Sequence, residues 1–350
     1  MGNIEGAINL TLEAINRWRV EKTSNQHRPH LGASQIGHPC ERHLWYVFHW
    51  CESQKFDGRM LRLFETGQLA EARFVEELRG IGCTVHDVDS DGRQFSVSAI
   101  GGHFSGSMDG CAKGIPEAPQ TWHNLEFKTH SAKSFADLKK RGVLASKPTH
   151  YAQMQVYMAL TGMTRSLYLA VNKDTDELYA ERIREDKTAQ KALLEKAERV
   201  IASNEPPSRI SNDPSWYECK FCNFHSICHE TQAPEVNCRT CAHSTAELSG
   251  GWSCARSASA KIPIEFQRTG CDQHRYIPVL LAGFTQVEDA SDEQNWISYT
   301  NQINKQVFVN GDPSQGHYSS HEIRACGSKA ALGDAVVNEF RATFSGRIDG

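Results

Sequence analysis

The sequence predicts an α/β fold: a central mixed β-sheet flanked by helices, then a cysteine-rich metal-binding module and a small αβ module at the C-terminal end. Three observations carry this. Between about residues 60 and 203, helical and strand periodicities alternate, the order expected of a mixed sheet with helices on its faces. Eight of the twelve cysteines fall into two sets with metal-ligand spacing. Past residue 208, long apolar runs give way to a stretch whose order would depend on metal.

Composition bounds the function. The chain has 350 residues, 39% hydrophobic and 23% charged, as in a soluble globular protein of one large domain or two to three smaller ones. No apolar run approaches the roughly 20 residues of a membrane span. The start, Met1 to Gly6, lacks the basic and apolar regions of an export signal, so a cytoplasmic location is expected. A net charge of −4 argues against a histone-like binder but leaves room for a DNA enzyme with local basic patches. Without an export signal, clustered cysteines read as metal ligands rather than disulfides.

Residues 5–20 read as a packing helix with Ile8, Leu12, Ile15 and Trp18 in one stripe. A polar loop follows to residue 32. Ser34 or Pro39 opens a helix that carries Leu44, Trp45 and Phe48 inward, with Cys40 in its first turn. Residues 60–80 form the clearest amphipathic helix, from Leu61 to Leu78. On it Gly67 and Glu71 share a face, with Gly67 allowing another backbone to approach. Residues 83–112 are strand-rich, and Gly101, Gly102, Gly106 and Gly110 keep backbone and ligand space open. A loop over 113–121 returns the chain as a hairpin or short crossover, which brings Asp109 near Glu126 and Lys128. A basic helix with Lys139, Lys140 and Arg141 comes next. A second strong helix over 150–160 carries Gln153 and Tyr157 on one face. Ser166–Val171 and Glu177–Ile183 read as strands, and 187–203 as a helix broken at Pro206. Beyond 276, Tyr276–Leu281 reads as a strand or connector, Trp296–Tyr299 and Gln306–Val309 as strands, and Leu332–Phe340 as a helix.

The chemistry centres on Asn124–Thr129. Leu125 and Phe127 occupy one face of this short strand, Glu126 and Lys128 the other. Metal-dependent phosphodiester hydrolysis needs carboxylates for Mg²⁺ or Mn²⁺ and a cation near the attacking water or the developing charge. Asp109, Glu126 and Lys128 supply these, and the Phe127 carbonyl can add an oxygen ligand. Taken singly, such residues could equally be a charge pair on a surface hairpin.

Asp109 followed by Glu126-Phe127-Lys128 resembles the PD-(D/E)XK nuclease superfamily, whose restriction-endonuclease-like core is the α/β fold expected here. Gly67-x-x-x-Glu71 before it and Gln153-x-x-x-Tyr157 after it resemble the RecB-type branch, including the YqaJ and lambda-exonuclease-like phage recombinases. The resemblance covers roughly residues 33–230. It implies a metal-dependent DNA exonuclease in recombination, replication or repair, encoded by a phage. It makes Glu71 a further metal ligand and Gln153 and Tyr157 substrate-positioning residues. Two departures stand out: many relatives carry His where Glu71 stands, and Met108 rather than Pro precedes Asp109. Lys133, Lys139, Lys140, Arg141 and Lys147 could meet phosphates or simply face solvent.

Cys219, Cys222 and Cys228, with the remote Cys40, could bind a [4Fe–4S] cluster. One Cys before the nuclease motifs and three after is similar to the iron-staple nucleases, such as the AddB nuclease domain. Zn²⁺ on the same thiolates is the alternative. Cys238, Cys241, Cys254 and Cys271 read as a Cys₄ Zn²⁺ site, with His243 and His274 as spare ligands and a second iron–sulfur cluster as the alternative. Trp252, Arg256, Lys261, Gln267 and Arg268 lie between these cysteines, where they could contact nucleic acid, a partner protein or only their own module. Cys51, Cys83, Cys111 and Cys326 show no ligand pattern.

The expected division is 1–32 for an N-terminal helix and loop, 33–230 for the nuclease core, 231–278 for the zinc-like module and 279–350 for the C-terminal module. DNA is the expected partner, with recombination or replication proteins beside it. The competing reading is a non-catalytic DNA-binding or scaffold protein with the same fold.

Overall fold

The computed structural model describes residues 9–23, 27–257 and 261–349. Helix α1 (Leu10–Lys22) precedes a two-residue strand β1 (Leu31–Gly32), α2 (Glu41–Phe48) and the long α3 (Gly58–Gly80). Strands β2 (Thr84–His86), β3 (Ser96–Ala99), β4 (Phe104–Ser107), β5 (Cys111–Lys113) and β6 (His123–His130) follow. Then come α4 (Ala132–Ser146), α5 (Pro148–Thr161), β7 (Arg165–Asn172), β8 (Leu178–Arg184) and α6 (Lys187–Ala202).

The expected mixed sheet is present, with order β2-β5-β6-β7-β8. Only β6 and β7 run parallel, and the other neighbours are antiparallel. Residues 123–127 of β6 are all buried, as befits a central strand covered on both faces. One face packs Leu125 and Phe127 against Phe74, Val75 and Leu78 of α3. The Phe74 and Phe127 rings stand 5.1 Å apart, and each such buried ring contributes about 2–3 kcal/mol. The other face packs Tyr168 and Ala170 of β7 against Leu138 of α4 and Met154 and Met158 of α5.

Not every strand joins this sheet. β1, β4 and β3 form a separate three-stranded sheet. The division falls at Asp109 and Gly110, which link β4 to β5. Gly110 has φ +137°, and a Cβ there would lie 2.6 Å from the His86 carbonyl. A side chain at this position would clash with the end of β2.

The glycine readings change accordingly. A Cβ on Gly106 would meet the Tyr157 ring at 2.8 Å, so this glycine makes room for protein rather than ligand. At Gly67, among the described residues, the nearest atom is Thr129 Oγ1 at 3.9 Å and no foreign backbone approaches closely.

Helix α1 also differs from expectation. None of its residues is buried, and Leu12, Ile15 and Trp18 are exposed. Ile8 lies outside the described residues. The helix leans on α3 through its polar side: Arg19 pairs with Glu65, and Arg62 donates to Asn16 Oδ1 at 2.7 Å. Gly58 gives Asn16 the room to approach. With those contacts facing α3, the apolar stripe points to solvent. The start of α3 is likewise open at Leu63 and Phe64, while Phe74 and Leu78 are buried.

Past residue 203 the chain forms α7 (Tyr217–Lys220), α8 (His225–His229), the hairpin β9 (Ser244–Ala246) and β10 (Trp252–Cys254), and α9 (Ile264–Thr269). The last part is an antiparallel sheet of β11 (Thr285–Ser291), β12 (Trp296–Asn301) and β13 (Val307–Asn310), with α10 (Ser320–Ala325) and α11 (Ala335–Phe344). Pro278–Leu281 is a 3₁₀ turn, which settles the strand-or-connector alternative. Among the described residues no helix is long and apolar enough to cross a membrane.

The Cys-rich segment is clamped to the core by Arg239, which is 1% exposed. Its guanidinium lies 3.7 Å from the Trp50 ring centre, 4.9 Å from that of Trp252 and 5.3 Å from that of Phe48. It donates to the carbonyls of Phe48 and Pro29 and to Gln267 Oε1. No carboxylate is among these partners; ring faces and carbonyls hold the charge. Trp252 and Gln267 are therefore buried parts of this clamp, not surface residues for a nucleic acid.

Candidate active site

β5 and β6 pair at only two positions, Cys111 with Asn124 and Ala112 with His123. Beyond them the strands fork. Leu125 N–H still donates to the Gly110 carbonyl at 2.9 Å. The next amide turned to that edge, Phe127 N–H, donates instead to Asp109 Oδ2 at 2.7 Å. A carboxylate thus takes the place of the missing strand. Lys128 Nζ donates to the Phe127 carbonyl at 3.1 Å and ion-pairs with Glu126 Oε1.

Glu126 is 0% exposed, and among the described residues no hydrogen-bond donor reaches its Oε2. Burial pushes its carboxyl up to about 7, with Asp109 and Glu71 adding to the rise and Lys128 opposing it. Burial also raises Glu71, on α3, to about 6, and raises Asp109. For Lys128, burial alone would lower the pKa, but Glu126 and Asp109 outweigh it and hold the ammonium charged.

Three carboxylates within electrostatic reach of one ammonium leave uncompensated negative charge. The ammonium sits between two oxygens that a cation would also take. This all-oxygen donor set fits Mg²⁺ or Mn²⁺ rather than a soft metal. Among the described residues no group of three His, Cys, Asp or Glu side chains forms a ready metal cage.

Gln153 and Tyr157 both face this region from α5 but are buried, at 7% and 1% exposed. Tyr157 O–H donates to the Ser107 carbonyl at 2.6 Å, two residues before Asp109, and Gln153 Nε2 donates to the Tyr157 oxygen at 3.1 Å. Tyr157 therefore braces the backbone that carries Asp109.

Sequence reasoning missed a polar chain beside the site. The face of β6 that carries Glu126 and Lys128 continues to His130, and Tyr168 of β7 lies in register with Glu126 on the same face. The Tyr168 hydroxyl lies 2.8 Å from His130 Nε2 and 2.9 Å from His150 Nδ1. Ser134 Oγ lies 3.2 Å from His130 Nδ1. Two signals were available: the two-residue period from Glu126 to His130, and His150 three positions before Gln153 on one helix face.

Of the basic residues, Lys139 pairs with Glu177 and Arg141 with Asp137. Among the described residues Lys133, Lys140 and Lys147 have no ion pair.

Each of the twelve cysteines is a free thiol. Cys40, Cys219, Cys222 and Cys228 line one pocket, so the remote Cys40 does come to the other three. Cys222 Sγ accepts from Phe224 N–H at 3.4 Å and has His43 Nδ1 at 3.4 Å. Cys238, Cys241, Cys254 and Cys271 also lie within mutual electrostatic reach. His243 is engaged by Asn295 Oδ1 at 2.7 Å, and His274 is buried beside Thr240. Both sets are gathered, and neither is closed around a common centre.

No curated protein matches the chain. Among solved structures, SSO0001 is 15% identical with a TM-score of 0.37, over 63% of this chain and 96% of that one. An alkaline exonuclease from Laribacter hongkongensis is 20% identical with a TM-score of 0.37, over 54% and 91%. The same exonuclease in complex with dAMP is 18% identical with a TM-score of 0.36, over 54% and 91%. The PD-(D/E)XK nuclease superfamily profile matches residues 50–229, which is 180 of the 350 residues and spans the fork and its flanking helices. The chain belongs to the PD-(D/E)XK nuclease superfamily.

Proposed function

We propose that the protein is a Mg²⁺- or Mn²⁺-dependent DNA exonuclease acting in recombination, replication or repair, in the cytoplasm of a phage-infected host. One observation carries the reading: the fork holds Asp109, a wholly buried Glu126 and the charged Lys128 around the free edge of β6. Glu71, Asp109, Glu126 and the Phe127 carbonyl would hold one or two ions, which when bound supply Lewis acidity and a nucleophilic water. Asp109 is fixed by Phe127 N–H, so its second oxygen is left to face a ligand. Lys128 orients the attacking water or meets charge that develops on the phosphate. Gln153 and Tyr157 position substrate from α5, Tyr157 through the backbone beside Asp109.

The two cysteine sets serve structure in this reading. Cys40, Cys219, Cys222 and Cys228 would hold a [4Fe–4S] cluster, or Zn²⁺ in its place, and so tie residues before the nuclease motifs to residues after them. The Phe224 N–H that donates to Cys222 Sγ, and His43 Nδ1 beside it, suit a metal-bound thiolate. Cys238, Cys241, Cys254 and Cys271 would hold Zn²⁺, with Arg239 and Arg275 nearby to balance thiolate charge. Residues 33–230 form the nuclease part, 231–278 the zinc-like module and 279–350 the last module.

The test is digestion of linear, circular and single-stranded DNA with Mg²⁺ or Mn²⁺. Asp109→Ala and Lys128→Ala should each abolish degradation while the far-UV circular dichroism spectrum stays unchanged. Degradation of linear but not circular DNA identifies an exonuclease. Full activity in both variants would sink the assignment and favour a scaffold role. A brown protein absorbing near ~400 nm supports the cluster, and a colourless one with stoichiometric zinc supports the alternative.

A further inference from the structure

The chain Ser134–His130–Tyr168–His150 is a set of hydrogen bonds with a direction. Tyr168 is 0% exposed and His130 7%, so water does not break the sequence between them. A phenol has one proton. Its hydroxyl therefore donates to one imidazole and accepts from the other, and each histidine's tautomer is tied to its neighbour's.

Two orders satisfy every atom. In the first, Ser134 O–H donates to His130 Nδ1, His130 Nε2–H to the Tyr168 oxygen, and Tyr168 O–H to His150 Nδ1. His150 then carries its proton on Nε2. In the second, every proton is reversed and His150 Nε2 is a bare acceptor. Among the described residues none bonds Nε2 of His150, which is half-buried. What meets that nitrogen selects the order.

The surroundings favour an anion. His150 sits in the first turn of the fourteen-residue α5, where backbone amides favour negative charge. Lys128 and Lys147 lie within electrostatic reach of it, and Lys173 of His130. Burial first, and these lysines next, hold both imidazoles neutral. His150 is thus a neutral imidazole in a cationic setting, beside the residues proposed to cut DNA.

We infer that His150 Nε2–H donates to a phosphate oxygen of the DNA backbone, and that Tyr168, His130 and Ser134 fix the tautomer that makes it a donor. His150 is then a substrate-binding residue, and the other three are positioning residues. The inference rests on the nuclease reading and adds a substrate contact to it.

Steady-state digestion of a linear duplex and nitrogen-15 spectra of histidine-labelled protein test it together. His150→Leu should raise KM roughly ten- to hundredfold with a smaller effect on kcat, as for a lost hydrogen bond to a charged group. His150→Gln, whose amide can take the place of Nε2–H, should recover most of that loss. Tyr168→Phe should raise KM in the same direction. Combined with His150→Leu it should add nothing, because the two residues act as one unit. With duplex oligonucleotide and no added Mg²⁺ or Mn²⁺, to keep the DNA intact, His150 should carry its proton on Nε2. In Tyr168→Phe that preference should disappear.

An unchanged KM in His150→Leu, a Gln variant no better than Leu, or a proton on Nδ1 with DNA bound would overturn the inference. The Gln and Phe variants still decide the matter if the Leu variant fails to fold. A wild type that binds DNA but does not cut it would remove the nuclease reading alone, since the spectra report the contact without turnover.

Discussion

Replacing Glu126 by Gln isolates the charge balance of the strand fork. The amide keeps the side chain's shape and removes its charge. In the metal-free protein, burial first and then Asp109 and Glu71 raise the Glu126 carboxyl from 4.5 to about 7, against Lys128. At about 1.4 kcal/mol per pH unit, ionising it in the fold costs about 3 kcal/mol. Because the folded-state value is the higher one, the fold binds this proton more tightly than the unfolded chain does. The stability this supplies is present below about pH 4.5 and lost as pH rises through about 7. The Gln variant carries no such loss. Lys128 gives up its ion-pair partner in the exchange, so a net gain of about 1–3 kcal/mol at pH 8 is expected, shrinking towards nothing near pH 4.5. Urea unfolding in EDTA at the two pH values measures it. Nuclease activity should be lost at both. Mg²⁺ should stabilise the wild type by mass action and leave the variant nearly unaffected. A variant no more stable than wild type at pH 8 in EDTA would refute the buried-charge argument.

Tyr157→Phe removes the hydroxyl that holds the Ser107 carbonyl. It should destabilise by about 1–2 kcal/mol and lower kcat about tenfold with little change in KM, read by digestion kinetics. Gly106→Ala drives a methyl against Tyr157 and Ala33 and should cost about 1–3 kcal/mol in thermal or urea melts, with a matching fall in activity. Arg239→Ala strips the clamp and removes the arginine's donation to the buried Phe48 carbonyl and the part-buried Pro29 carbonyl. It should cost about 3–5 kcal/mol and hasten proteolysis within the Cys-rich segment, with Arg239→Lys recovering only part.

The sequence was most legible where periodicity and chemistry agreed. Strand 123–130 combines an apolar face of Leu125 and Phe127 with a polar face of Glu126 and Lys128, and both faces lie where the two-residue period put them. Cys40 and Cys219 are 179 positions apart, yet the ligand pattern anticipated their meeting. Helix α1 was misread because an apolar stripe says which side dislikes water, not which side has a partner. Arg19 and Asn16 found α3 first. The second sheet was invisible because β1 is only two residues long, and its pairing with β4 is non-local. The sequence left Trp252 between a contact residue and packing within its own module; Arg239 beneath it decides for packing, and no local pattern announces a cation that three distant rings will share.

The Arg239 clamp also bears on how this protein can be divided or recombined. The superfamily match ends at 229, before the arginine, yet its first residue is Trp50, the ring closest to that guanidinium. A cut placed at the end of the match would bare Trp50 and Phe48 and leave two backbone carbonyls facing an empty slot. Grafting another enzyme's C-terminal segment onto residues 50–229 would meet the same gap unless the graft carried an arginine at the equivalent depth. A division that preserves the clamp therefore keeps residues 50–229 and the Arg239 segment together.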